Sequence, residues 1–140
     1  MVAPRLVVDT SVAFKWFVAY GEQSLDEAVE LLEAHRNDEV TLVAPSTVLV
    51  EIANTLRYLV PDPREALGFL GDFEAMHIVL FDPTPQRVRR AALRASETGM
   101  GVYDALFLAL AEELECPLVT ADRRAFASVP TEVAKVRLLL

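Results

Sequence analysis

Apolar and polar positions along this chain fall into blocks. Short, mostly apolar runs at Leu6–Val8, Val40–Ala44, His77–Phe81, Pro117–Thr120 and Ala134–Leu139 alternate with longer stretches of helical spacing. Strands buried on both faces read as such runs, so the pattern predicts α/β architecture with a mostly parallel sheet. Helix starts are marked in the sequence. "SLDE" (Ser24 to Glu27) reads as a capping box, and "DPRE" as a second, with Asp62 capping, Pro63 first and Glu65 closing it. Thr84 and Pro85 open another helix, and two more are expected from about Thr47 to Leu59 and from about Tyr103 to Glu115. In the first of these, Leu49, Ile52, Ala53, Leu56 and Leu59 are spaced to form the buried face. Short helical turns are expected after Asp9 and after Asp122.

Length and composition narrow the picture. With 140 residues, 53% of them hydrophobic, and no repeat, low-complexity tract or linker-like shift, residues 1–140 read as one domain. The longest apolar run, Ala105 to Ala111, is far short of a membrane span, and no export signal is visible. Cys116 has no cysteine to pair with, so a cytoplasmic protein is expected. His35 and His77 are too few for a His-rich zinc site, so any metal would be held by oxygen. Net charge is 13 − 21 = −8, which argues against binding nucleic acid through a broad basic face. Phosphate handled locally, through bound cations, stays open.

Four carboxylates stand out. Asp9 and Asp122 each end an apolar run, at the sheet edge where open α/β folds bind ligands, although aspartate is also a common helix cap. Asp104 lies in line with Phe107, Leu108 and Ala111 on a helix apolar almost all round. The helix dipole favours a carboxylate there and an ordinary N-cap is an alternative, but a bound cation would suit it better. Glu51 leads a stripe with Asn54, Thr55 and Tyr58 beside the apolar face, positioned either for solvent or for a cleft. Carboxylates crowd together while ionised only if something offsets their repulsion. Mg²⁺ or Mn²⁺, hard cations that take oxygen ligands, would do so and would supply hydrolytic chemistry at phosphorus.

"VVDTSV", "PSTVLVEIANTL", "YDALFLALA" and "LVTADRR", in this order and covering nearly the whole chain, resemble the PIN-domain ribonucleases, in particular the VapC-like toxins of toxin–antitoxin pairs. The resemblance implies a PIN-like three-layer α/β/α sandwich with a five-stranded parallel sheet. It also implies Mg²⁺- or Mn²⁺-dependent endonucleolytic cleavage of single-stranded or structured RNA. Asp9, Glu51, Asp104 and Asp122 fall on the metal-binding positions, with Asp9 and Asp104 the most direct ligands. Ser11 and Thr120 match hydroxyls that orient carboxylate or water, and Asn54 a support for the glutamate. The implied partners are the RNA substrate, a second copy in a homodimer, and an antitoxin occupying the acidic groove.

Lys15, Arg57, Arg123 and Arg124, close in sequence to the acidic positions, are candidate contacts for RNA or antitoxin, or else ordinary surface charges. The run carrying Arg87, Arg89, Arg90 and Arg94 reads as a solvated helix face. Trp16 and Phe17 read as packing or interface residues. A haloacid-dehalogenase-like phosphotransferase needs Asp-x-Asp where this chain has "DTS". A receiver domain needs an acidic pair and a lysine that are absent. Two alternatives stay open: a processing or quality-control nuclease, and a PIN-like fold used only for binding.

Overall fold

The computed structural model describes residues 2–17 and 25–139. Strand β1 (Arg5–Val8) leads into helix α1 (Thr10–Phe14), and α2 (Leu25–Arg36) precedes β2 (Thr41–Pro45). Helices α3 (Val48–Leu59) and α4 (Pro63–Ala75) come next, then β3 (Val79–Phe81), α5 (Pro85–Thr98) and α6 (Val102–Leu114). Strands β4 (Leu118–Thr120) and β5 (Val136–Leu138) come last. All five strands are parallel, in the order β3-β2-β1-β4-β5, and helices flank the sheet. This is the expected α/β/α sandwich.

The order runs outward from β1 in both directions, so the winding reverses between β1 and β4. A crevice forms at such a switch point, outside the carboxyl ends of the strands. Val7, Val8, Leu42, Val43, Leu118 and Val119 are at most 2% exposed. Each such side chain contributes about 1.5–3 kcal/mol when fully buried, so the strands at the switch point give the residues at their carboxyl ends a firm base. Helix α6 packs on β1, β2 and β4, and α5 covers α6. Residues Ala105 to Ala111 are all buried, as their all-round apolarity predicts.

Several boundaries differ from the sequence expectation. His77 has φ 55°, a left-handed conformation that a strand does not admit, so β3 begins only at Val79. Asp62 does cap α4, accepting from the Arg64 N–H at 3.0 Å, but among the described residues no bond from Glu65 closes the box. Ser24, the expected cap of α2, lies outside the described residues. Residues 123–128 form turns rather than a helix. Along α3 the buried stripe is Val48, Ile52 and Leu56, and Leu59 is 57% exposed. The helix is therefore rotated from the predicted face toward Glu51 and Thr55.

Trp16 and Phe17 prove to be packing residues. The indole N–H of Trp16 donates to the Ala28 carbonyl at 2.8 Å, tying the end of α1 to α2. The Phe17 ring meets Phe69 and Phe73 of α4 edge-on. The arginine-rich helix is not simply solvated. Arg87 makes a bidentate pair with Glu113 at 3.1 Å, and Arg94 bridges Glu112 and Glu97, stitching α5 to α6.

Candidate active site

Strand register builds the first half of the site. Val8 pairs with Val119, so the next residues, Asp9 and Thr120, stand side by side at the switch point. Asp9 is only 6% exposed. Its Oδ2 accepts from the Thr120 hydroxyl at 2.5 Å. Its Oδ1 accepts from the Ser11 hydroxyl at 2.5 Å and from the Val12 N–H at 3.2 Å, so Asp9 also caps α1. The backbone N–H groups of Ala121 and Asp122 donate to the oxygens of Ser11 and Thr120, each at 2.9 Å. A hydroxyl has one proton to give. With backbone donors filling a lone pair on each, both hydroxyl protons are directed at Asp9. Asp9 thus caps α1 as expected, and hydroxyls from two segments hold its two oxygens as well.

Burial still pushes the Asp9 carboxyl above the ordinary carboxylate range, against the three bonds that favour its charge, and the nearby Asp122 charge adds to the rise. Glu51, in the first turn of α3, accepts from the Thr10 hydroxyl through Oε2. Its carboxyl is raised by burial first; the Thr10 bond opposes this, and the charges of Asp104 and Asp9 add to it. Asp104, in the first turn of α6, is half-buried and is likewise raised by burial and then by Asp122. Asp122 is exposed, and its Oδ1 accepts from the N–H groups of Arg124 and Ala125 at 3.1 and 3.2 Å. Carboxylates from four separate segments therefore lie within one another's electrostatic reach. Among the described residues, no basic group offsets the rise at Asp9, Glu51 or Asp104.

This donor set suits a hard cation, being all oxygen and mutually repulsive. It is spread rather than caged: among the described residues, no three His, Cys, Asp or Glu side chains come close enough to hold an ion by themselves. An ion that keeps several of its waters fits such an arrangement, whereas one needing a closed protein cage does not.

The remaining predicted residues divide. Ser11 and Thr120 orient Asp9. Asn54 is exposed and, among the described residues, makes no bond to Glu51; that place is taken by Thr10, which sequence reasoning missed. The signal was present in "DTS", because adjacent helical residues point about 100° apart. Thr10 and Ser11 therefore serve two different carboxylates. Lys15, Arg123 and Arg124 line one cavity of ≈ 490 Å³ beside Ser11 and Asp122. Arg57 is not among its walls, and its guanidinium sits 4.3 Å over the Tyr58 ring. Among the described residues, no helix is long and apolar enough to cross a membrane.

Comparison with known proteins agrees with this architecture. The PIN domain family model matches residues 6–132. Ribonuclease VapC27 of Mycobacterium tuberculosis is 32% identical over 125 residues, covering 87% of this chain and 88% of that protein. VapBC2 from Rickettsia felis, solved bound to a DNA fragment from its promoter, superposes with a TM-score of 0.72 at 16% identity, over 96% of this chain and 98% of that one. DNA-bound VapBC from Salmonella typhimurium gives a TM-score of 0.71 at 15% identity, over 98% and 99% of the two chains. At such identities the structural likeness speaks for the fold. The match along residues 6–132 and the VapC27 identity go further: this chain belongs to the PIN domain family.

Proposed function

We infer that this protein is a divalent-cation-dependent endoribonuclease, the toxin of a toxin–antitoxin pair, working in the cytoplasm as a homodimer. The observation that carries the reading is the gathering of Asp9, Glu51, Asp104 and Asp122 at the switch point. Its relative VapC27 is named a ribonuclease, and VapBC-5 from Mycobacterium tuberculosis is described as belonging to a family of toxin–antitoxin systems. Both support the activity and an antitoxin partner here.

Asp9 and Asp104 would hold Mg²⁺ or Mn²⁺ most directly, with Glu51 and Asp122 reaching it directly or through water. When bound, the ion polarises a phosphodiester oxygen and makes a coordinated water more acidic. The chain's own residues do the rest. Ser11 and Thr120 fix both oxygens of Asp9, so the carboxylate needs no reorientation during reaction. Thr10 holds one oxygen of Glu51, leaving Oε1 to take the proton of the attacking water. The net charge of −8 ceases to oppose an RNA substrate, because the phosphate meets cations rather than bare carboxylates.

The test is cleavage of an end-labelled RNA pool with Mg²⁺, with Mn²⁺ and with EDTA, alongside Asp104→Asn as the control for contaminating nuclease. Metal-dependent cutting by the wild type alone is expected. Equal cutting by both proteins, or none by either, would count against the reading.

A further inference from the structure

Along β2 the backbone N–H groups point alternately to the two neighbouring strands. The Thr41 N–H donates to the Pro4 carbonyl, on the β1 side, at 2.9 Å, so those of Leu42, Ala44 and Ser46 are directed toward β3. Ser46 donates accordingly, to the Phe81 carbonyl at 2.8 Å. Four residues earlier in both segments, the Leu42 N–H belongs opposite the His77 carbonyl. That rung is not made directly. The His77 backbone is left-handed, and pairing of β2 with β3 begins only at Val43 and Val79. The imidazole of His35, from the last turn of α2, fills the gap. Its Nδ1 accepts from the Leu42 N–H at 3.0 Å, and its Nε2 lies 3.2 Å from the His77 carbonyl oxygen. An amide N–H has only a proton to give and a carbonyl oxygen only lone pairs, so the ring carries its proton on Nε2 and none on Nδ1. One neutral ring thus joins α2, β2 and the turn before β3. It sits at the amino edge of the sheet, at the other end of the strands from the carboxylate cluster, and is half-buried.

We propose that His35 is an acid-sensitive latch: its neutral imidazole closes the amino end of the β2–β3 edge, and a second proton, on Nδ1, opens it. Protonated at both nitrogens, the ring turns a donor toward the Leu42 N–H. Leu42 is 0% exposed, so its backbone donor is then left without an acceptor and away from water. Surrounding charges do not compensate. Helix α2 and the turn after it carry Arg36, Asp38 and Glu39, and the end of α4 and the turn before β3 carry Glu74 and His77. Strands β2 and β3 carry no titratable side chain. Among the described residues, none of these side chains forms an ion pair or hydrogen bond with the ring. Closing therefore selects the neutral ring, and opening frees it to take a proton. A free imidazole titrates near pH ~6.5, so the latch is favoured above that range and is released as pH falls through it.

The experiment follows amide hydrogen exchange by NMR on the full chain, with each rate divided by the intrinsic rate at that pH. Because only the open form takes the proton, Leu42 protection should fall about tenfold between about pH 7.5 and about pH 5.5. The Ser46 amide, on a direct rung at the other end of the ladder, should keep its protection. Imidazole ¹⁵N shifts of the wild type should show the proton on Nε2 alone at the higher pH. His35→Gln offers an acceptor and a donor from one group that does not titrate in this range; it should hold Leu42 protected at both pH values. His35→Phe removes both bonds and should lower that protection at either pH. Leu42 protection that persists in the wild type with both ring nitrogens protonated would overturn the latch. So would an equal acid fall in His35→Gln, which would place the response in other groups, or an equal fall at Ser46, which would make the opening global.

Discussion

Helix α6 carries two charge arrangements that obey opposite rules. Near its far end, Glu112 and Glu113 are paired with Arg94 and Arg87, and the guanidinium of Arg87 holds the Glu113 carboxyl below the ordinary range. In its first turn, Asp104 is raised instead, by burial first and then by the Asp122 charge. Both sets lie on one helix, and they differ in burial and in the charges beside them. The α5–α6 seam is arranged for stability: each glutamate has its arginine. The switch-point cluster gathers like charges, a repulsion that a bound cation would offset.

The contrast can be broken most severely at the hydroxyls. Thr120→Val removes the bond to Asp9 Oδ2 and leaves a buried oxygen unsatisfied. Supporting bonds around metal ligands are worth about 10–100-fold in affinity or activity, so a loss of that size in Mn²⁺ affinity and in RNA cleavage is expected. Retention of both at wild-type values would show that Thr120 merely fills space.

Next comes the seam. Arg94→Ala leaves Glu112 and Glu97 without their partner, and a loss of about 1–2 kcal/mol in urea unfolding is expected, with the cleavage rate per folded molecule unchanged. A matching loss of activity would mean that the two regions are not separable.

A smaller effect, of opposite sign, distinguishes the regions more sharply. Folding disfavours the ionised forms of Asp9, Glu51 and Asp104, so as pH rises the unfolded chain sheds these protons first. Their cost to stability is absent below the ordinary carboxylate range and grows as pH rises through the raised range. Glu113 behaves inversely: its contribution is present at neutral pH and is lost on acidification. In metal-free protein, Asp104→Asn should therefore gain stability at neutral pH, and the gain should vanish in acid. Solvent screening of a half-buried group limits that gain to the order of 1 kcal/mol of relieved like-charge repulsion. A gain that does not depend on pH would refute this origin.

The smallest change is Thr47→Val. The Thr47 hydroxyl is buried and, among the described residues, without a hydrogen-bond partner. Removing it should stabilise the fold by about 0.5–1 kcal/mol in the same unfolding assay, without effect on cleavage. Destabilisation would indicate a bonded hydroxyl.

Sequence made the acidic residues legible because each interrupts an apolar pattern, and parallel strands carry their ends to one edge. What escaped it were partners set by packing across long separations. Thr10 meets Glu51 across 41 positions, and which face of α3 looks inward decides that meeting. The same rotation exposed Leu59, which helical spacing had placed in the core. Arg87 and Arg94 looked like solvent-facing charges because nothing local in α5 announces that α6 presents glutamates opposite. Aspartates at strand ends were ambiguous between local backbone partner and ligand for a simple reason: an aspartate has two oxygens, and at Asp122 a single one takes both N–H groups of the turn.

The central claim is that these four carboxylates form one cation-dependent site. Calorimetric titration of Mn²⁺ into the wild type and into Asp104→Asn, both verified as folded by circular dichroism, tests it most directly. Saturable binding to the wild type is predicted, accompanied by a rise in unfolding free energy of about 2.7 kcal/mol at one hundred times Kd. In Asp104→Asn the binding should weaken at least about tenfold. Equal affinity in the two proteins, or no binding to the wild type, would contradict the claim.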